Sequence, residues 1–351
     1  MSQVHLGIYL TQKKFFQSFL IFWEAYPNMM IPIFPGGRLL GIILFFNLLS
    51  VVYTNKLYTK KKWGLLLVHL GIMTFFIGGG LTSFYAIESQ LSIEEGETKN
   101  FTEDFRKLEL AIIDRTNPDF DTVISIPQSM LKKQNVISYP EIPFNIVIKS
   151  YLDNAELSSK TSNHSIQELP QVTHGIGAEI FVKSKAEFVQ DNFVNFVTVH
   201  AEILSNNKSL GTWLFSRAIE QTQLIEIENK RYEFILRPVR YYTSYDLTLK
   251  DFRHDIYPGT DIPKNFSSLI HLNDPEKQEV RDVLIYMNHP LRYQGKTYYQ
   301  ASFGKDDTLS ILQVVQNPAW LFPYLACSMV AAGLIFQFLS YLIRFSKKNN
   351  R

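Results

Sequence analysis

Residues 63–82 read Trp63-Gly-Leu-Leu-Leu-Val-His69-Leu-Gly71-Ile-Met-Thr-Phe-Phe-Ile-Gly78-Gly79-Gly80-Leu-Thr82. The run without Lys, Arg, Asp or Glu extends from Trp63 to Ile87. A helix crossing a bilayer core needs about 20 mostly apolar residues, and this stretch supplies them. Two further stretches are uncharged, Leu39–Asn55 and Thr308–Ile343. They predict three membrane helices, at residues 38–54, 63–86 and 318–343. The first is the shortest, and the uncharged Ile31–Gly37 ahead of it helps to seat it. The alternative is three buried helices of a large soluble core, but uncharged runs of this length are uncommon in such folds.

Charge outside these runs sets the expected orientation. Lys56, Lys60, Lys61 and Lys62 lie between the first two spans, and Arg344, Lys347, Lys348 and Arg351 follow the last. Lys and Arg mark the cytoplasmic side. Residues 55–62 are therefore expected as a cytoplasmic basic loop and 344–351 as a cytoplasmic basic tail. Residues 87–317 then form an extracytoplasmic domain between the second and third spans. Residues 1–37 become an extracytoplasmic or interfacial segment. Within it the apolar Phe15–Trp23 is too short to span and suits a surface-lying amphipathic stretch. There is no signal-peptide pattern.

Composition narrows the function classes. The 351 residues carry 35 Lys and Arg against 33 Asp and Glu, a net charge of +2, and only 19% are charged. That balance argues against a nucleic-acid binder held by basic charge and against an acidic disordered chain. One cysteine excludes an intramolecular disulfide and any multi-Cys metal site within the chain. The mean hydropathy of -0.04 averages over two unlike parts.

The 87–317 region patterns as strands. From Phe193 to Leu204, Val197, Val199, Ala201 and Ile203 share one parity, opposed by Thr198, His200 and Glu202. Thr297–Phe303 alternates similarly. Further expected strands are Leu108–Ile113, Phe144–Tyr151, Ala178–Val182, Leu224–Ile227, Arg231–Pro238, Val239–Leu249 and Leu309–Val315. Alternation rich in Val, Ile, Tyr and Phe argues strand over helix, so the domain is expected to be mostly β, with packed sheets. Pro275–Arg281 reads as a short helix. Asp153–Gly177 reads as a long polar loop. The expected fold class is thus a multi-pass α-helical membrane protein with a large, mostly β extracytoplasmic domain.

His69 carries the chemical interest. Apart from Cys327 and a few tyrosines it is the only titratable side chain in the three spans. It is placed about two turns from the cytoplasmic end. An ionisable group inside a bilayer is costly and marks a functional site by default. A neutral imidazole is also a good axial ligand for haem iron. Gly71, Gly78, Gly79 and Gly80 remove bulk, which admits either another helix or a flat macrocycle. The bland reading of His69 is a packing residue hydrogen-bonded to a neighbouring helix. His5, His164, His174, His200, His254, His271 and His289 are scattered outside the spans without a metal-site spacing, and surface or structural roles are expected. Cys327 reads as a small apolar filler. No phosphate loop, catalytic triad order or nucleophile elbow is present, so no catalytic residue is assigned.

Several stretches together resemble the ResB (CcsB) family of system II cytochrome c biogenesis. They are Ile33-Phe-Pro-Gly-Gly-Arg38, Trp63-Gly-Leu-Leu-Leu-Val-His69-Leu-Gly71 and Glu88-Ser-Gln-Leu-Ser-Ile-Glu-Glu-Gly-Glu97. The stretch Asp251–Ser268, then Tyr286-Met-Asn-His289-Pro-Leu-Arg-Tyr-Gln-Gly-Lys-Thr-Tyr-Tyr-Gln-Ala-Ser-Phe303, and Gln313-Val-Val-Gln-Asn-Pro318 complete the set. Each is weak alone; their order and placement around the spans are specific.

The resemblance implies a partnership with a ResC/CcsA-type membrane protein in a bacterial inner membrane, with the large domain on the periplasmic side. The pair passes haem b across the membrane and joins it to apocytochrome c, which makes this chain a non-autonomous subunit of a holocytochrome c synthase (haem lyase). A family histidine thought to ligate haem within the membrane matches His69. The tryptophan-rich haem loop belongs to the partner, and Trp23, Trp63, Trp213 and Trp320 are too dispersed to form one. Typical members carry one more span ahead of the segment resembling residues 3–37, so the resemblance implies a start beyond that first span, through an upstream start codon or a shortened gene model. The competing expectation is a membrane-anchored scaffold or chaperone for apocytochrome c that never touches haem.

Overall fold

The computed structural model describes residues 2–26, 29–118, 120–133, 135–159, 169–188, 194–206, 208–228, 230–259, 263–304 and 308–349. The chain opens with α1 (Ser2–Thr11), a π-helical turn at Gln12–Phe16 and a hairpin of β1 (Leu20–Tyr26) and β2 (Met29–Pro35). Two long helices follow, α2 (Gly37–Thr54) and α3 (Trp63–Tyr85). The chain then turns to strands: β3 (Ile87–Glu94), β4 (Thr98–Asp114) and β5 (Thr122–Pro127). After the short α4 (Gln128–Lys133) come β6 (Val136–Ser138), β7 (Asn145–Leu152), β8 (Ala155–Ser159) and β9 (Ile180–Ser184). Next are β10 (Thr198–Ser205), β11 (Lys208–Ser216), β12 (Gln223–Ile227), β13 (Lys230–Ile256) and β14 (Pro263–Asp274). The last strands are β15 (Glu279–Tyr286), β16 (Leu291–Tyr293), β17 (Lys296–Gly304) and β18 (Leu309–Gln316), before α5 (Phe322–Asn349). Helices α2, α3 and α5 are each long and apolar enough to cross a membrane. Two compact units result, one of Met1–Glu88, Asp251–Ile270 and Val283–Arg351, the other of Ser89–Lys250 and His271–Asp282.

In the first unit α3 and α5 pack antiparallel through small residues. A Cβ on Gly64 would meet Gly333 O and Gln337 at 2.9 Å, and one on Gly71 would meet Val330 Cγ2 at 2.7 Å and Ala326 O at 2.9 Å. One on Gly78 would run into Phe322. Glycines 64, 71 and 78 recur every seven residues, so they stack on one helix face, and only their missing side chains let the backbones approach. Asn317 Nδ2 donates to Thr82 Oγ1 at 3.2 Å and closes one end of the seam. Gly79 and Gly80 are different: a Cβ on either meets nothing within 4 Å.

Helix α2 starts where Gly36 and Gly37 cross the preceding chain. A Cβ on Gly36 would collide with Ser18, and one on Gly37 would lie 2.5 Å from Phe16 O. This is the physical reason for the Pro35-Gly36-Gly37 sequence at that corner. Phe15–Trp23, expected as one surface-lying amphipathic stretch, instead ends the π-turn and enters the β1–β2 hairpin. Prolines 32 and 35 and the aromatic content favour extended chain there. Both hairpin strands expose large apolar side chains, among them Phe22, Trp23, Met30 and Phe34.

The second unit is a pair of packed antiparallel sheets. One has the order β11-β10-β7-β6. In the other, β12 pairs with β13, β13 with β4 and β4 with β5. Leu110, Ile112, Ile126, Ile146, Val199, Ala201, Phe215 and Phe234 fill the layer between them. The strands expected at Arg231–Pro238 and Val239–Leu249 are one strand, β13, with a register shift against β4 between Pro238 and Arg240. Proline cannot donate to the ladder, and a bulge absorbs that loss. On β4 the slack is taken up by Asp104, whose Oδ1 accepts from the N–H groups of Arg106 (2.8 Å) and Lys107 (2.9 Å). Beside the bulge, Arg237 Nε donates to Glu109 Oε1 at 3.0 Å, and both side chains are buried.

Three local expectations change. Pro275–Arg281 is a hairpin turn into β15: Asp274 Oδ1 accepts from Lys277 N at 3.0 Å, and Gln278 has φ 54°. Asp153–Gly177 is not loop throughout, because Ala155–Ser159 pairs as β8 with β9; residues 160–168 lie outside the described residues. The polar parity of β10 is also buried. Thr198 and His200 are as covered as Val199, because β8, β9 and Val172 pack with Leu214 over the second face of that sheet.

Two predictions follow from this packing. Gly71→Leu should lower the stability of the purified chain by about 1–3 kcal/mol through overpacking against Ala326 and Val330, whereas Gly79→Ala should be neutral or gain up to about 1 kcal/mol from helix propensity. Thermal unfolding in detergent separates the two; equal effects would deny the seam. The second prediction concerns His200, whose burial pushes its imidazole below the ordinary value and whose Nδ1 has no hydrogen-bond partner. The unfolded chain takes up this proton near pH 6.5, the folded chain only at lower pH. The stability held by neutral His200 is therefore intact above about pH 6.5 and is lost as pH falls toward the depressed folded value, at no more than about 1.4 kcal/mol per pH unit. Melting curves between about pH 7.5 and about 5.5 should show this slope in the native chain and a reduced one in His200→Leu.

Candidate functional site

Helix α3 presents two unlike faces. The glycine seam at 64, 71 and 78 faces α5. His69 is two residues from Gly71, about 200° around a helix with 3.6 residues per turn, and so lies away from the seam. It is half-buried. Residues 72, 76, 80 and 83 follow it at three-, seven-, eleven- and fourteen-residue spacing and share its face.

The ring geometry of His69 decides what it offers. Nδ1 lies 2.8 Å from the carbonyl oxygen of Leu65, one turn earlier. A carbonyl only accepts, so this contact places the proton on Nδ1. In the neutral imidazole the lone pair is then on Nε2, the ring atom facing away from the helix backbone. Among the described residues no hydrogen bond engages Nε2. A backbone-tethered Nδ1–H with a free Nε2 is the arrangement of a metal-ligating histidine, in which the second nitrogen is held by a carbonyl and fixes the tautomer and ring angle. The packing alternative expected a bond from His69 to a neighbouring helix; its hydrogen bond stays within α3. The residues present fit one axial ligation of a haem iron. Among the described residues no group of three His, Cys, Asp or Glu side chains assembles for a metal. Cys327 is exposed on α5 without a disulfide.

Five of the remaining seven histidines have structural surroundings. His174 stacks on Trp213. His200 is enclosed in the core of the second unit. His254 lies against Phe266 and Phe303, with ring centroids 4.8 and 4.4 Å away. His271 Nδ1 pairs with Asp282 Oδ1 at 2.6 Å, and His289 stacks on Tyr286. His164 lies outside the described residues.

Sequence reasoning treated Arg38 only as the start of a span, yet it is the charged member of a cavity of about 880 Å³ beside α2 and α3. The signal was present: Arg38 is the one charge between Ile31 and Asn55.

Comparison with known proteins agrees with the motifs. The ResB-like family model matches residues 220–316, which hold the Asp251–Ser268 and Tyr286–Phe303 motifs. Protein NrfI of Wolinella succinogenes is 24% identical over 312 residues, covering 88% of this chain. The chain spans about 30% of that relative's length. The family model on the strand-rich region and this similarity along most of the chain together support membership of the ResB/CcsB family.

Proposed function

We propose that this chain is a membrane subunit of cytochrome c biogenesis that holds haem within the bilayer while it passes to the side where apocytochrome c receives it. The observation that carries this reading is His69, with Nδ1 tied to Leu65 O and Nε2 free on the face of α3 away from α5. ResB-like membership and the similarity to Protein NrfI supply the class of process.

Membrane insertion is supported by the three long apolar helices, whose exposed surfaces carry Phe46, Leu49, Leu334 and Phe338. Aqueous exposure of such continuous surface is unfavourable at about 25 cal/mol per Å². With the Lys60–Lys62 loop and the Arg344–Lys347 end in the cytoplasm, the strand-rich region after α3 lies on the periplasmic side of a bacterial inner membrane.

Haem is cargo here rather than a resident cofactor. His69 supplies one neutral imidazole, and its tethered Nδ1–H keeps the ring oriented for the iron. His69 would hold the iron from one side only, because α2, α3 and α5 contain no second histidine. A ResC/CcsA-type membrane protein would supply a second ligand, so haem bridges the two chains and neither is a synthase alone. Beside apolar helices the ring's apolar surface would be kept from water, which would favour retention of a flat apolar body.

The test is an absorption spectrum of this chain purified with its ResC/CcsA-type partner, beside the His69→Ala form. The expected result is a Soret band lost or shifted in the variant and restored by added imidazole. An unchanged band in His69→Ala would place haem wholly on the partner and leave this chain as an apocytochrome scaffold.

A further inference from the structure

The cavity beside α2 and α3 has about 880 Å³, within the range of small-molecule sites. Its walls are Phe45, Phe46, Phe76 and Phe84, with Gly80 and Arg38. Among the described residues Arg38 is the sole charged one in that lining. Its Nη2 donates to Ser83 Oγ at 3.1 Å, and its guanidinium lies 4.7 Å from the centre of the Phe84 ring. Its Nε is buried without a hydrogen-bond partner. Among the described residues no carboxylate stands within ion-pair distance of it. A guanidinium carries five donors and no acceptor, and a buried N–H left unmade is costly. The hydroxyl and the ring account for part of this group and supply no negative charge. The arrangement lacks an anion on Arg38 and an apolar body along the phenylalanines.

We propose that this cavity is a binding site for an anionic phospholipid, its phosphate on Arg38 and an acyl chain along Phe45, Phe46 and Phe76. Three features favour a lipid over a porphyrin. Arg38 is in the first turn of an apolar helix long enough to cross a bilayer, the level at which phosphates lie. Among the described residues the lining contains no His, Cys, Met or carboxylate to ligate iron. Ser83, the partner of Arg38, is fourteen residues from His69, about 21 Å along the helix axis. A group held at Arg38 is therefore a separate occupant from one held at His69. The open Cβ position of Gly80 leaves room for the chain. This inference stands on the cavity alone and survives failure of the haem reading.

The experiment is native mass spectrometry of the full chain in mild detergent, titrated with phosphatidylglycerol and, separately, phosphatidylcholine. The native chain should retain phosphatidylglycerol in preference to the zwitterionic lipid. Arg38→Gln should weaken retention roughly tenfold or more, the scale of a lost charge-assisted contact, with Arg38→Lys between the two. Gly80→Leu, which fills the cavity without touching the charge, should also lose the lipid, so the result does not depend on one variant folding. Equal retention by native, Arg38→Gln and Gly80→Leu chains would overturn the proposal. So would Arg38-dependent displacement of phosphatidylglycerol by iron-free protoporphyrin, which would make the occupant a porphyrin carboxylate.

Discussion

Close backbone approach between α3 and α5 is the constraint on which the rest of the membrane-type unit depends. Glycines 64, 71 and 78 have no side chain because Gly333, Ala326, Val330 and Phe322 occupy that space. In lipid there is little hydrophobic gain from joining two apolar helices, so close van der Waals contact along a small-residue seam carries the association. Once one face of α3 is committed to α5, the opposite face is what remains for ligands. His69 and the cavity wall at Phe76 and Gly80 are both on it. On the proposed reading, packing and ligand binding are separated by rotation about one helix rather than by distance along it.

The glycines show how far sequence reading reaches. Gly71, Gly78, Gly79 and Gly80 admit either a helix or a flat ligand when read as residues alone; in the structure Gly71 and Gly78 meet α5, and Gly79 and Gly80 meet nothing within 4 Å. The seven-residue recurrence that includes Gly64 is visible in the sequence, but which glycines meet a neighbour depends on the helix that arrives from residues 322–349. The three long helices were legible because soluble cores rarely run this far without a charge, whereas a bilayer span requires it. The packed sheets were legible from alternation. The burial of His200 was not, because alternation marks a sheet with one dry face, and this sheet gains a second cover from a distant hairpin. The Pro275–Arg281 turn was misread for a related reason: a short charged run carries no decisive period, and pairing with a neighbouring strand settles it.

Of the two candidate residues, one is conspicuous in the sequence. His69 stands out as the lone imidazole in uncharged sequence, whatever the fold. Its tautomer is not legible in sequence, because it is inferred from the Leu65 carbonyl one helical turn away at hydrogen-bonding distance. Arg38 was overlooked because a cation at a helix end is ordinary in sequence, where it reads as a boundary. Only the cavity shows that its Nε is enclosed among phenylalanines without a partner.

The tethered ring also bears on how tightly haem would be held. A histidine free to rotate gives up rotamer entropy when it ligates, whereas one already held by its own helix gives up less. Pre-orientation therefore strengthens the single bond that this chain can offer. Yet one axial bond in an apolar setting is still weaker than two, and on the proposed reading that asymmetry is useful. Cargo must be retained across the bilayer and then released. A ligand set split between two proteins can be opened by a small relative movement of the partners, without breaking the α3–α5 seam that keeps His69 in place. On that reading the seam would supply rigidity where orientation matters, and shared coordination would supply the reversibility that transfer requires.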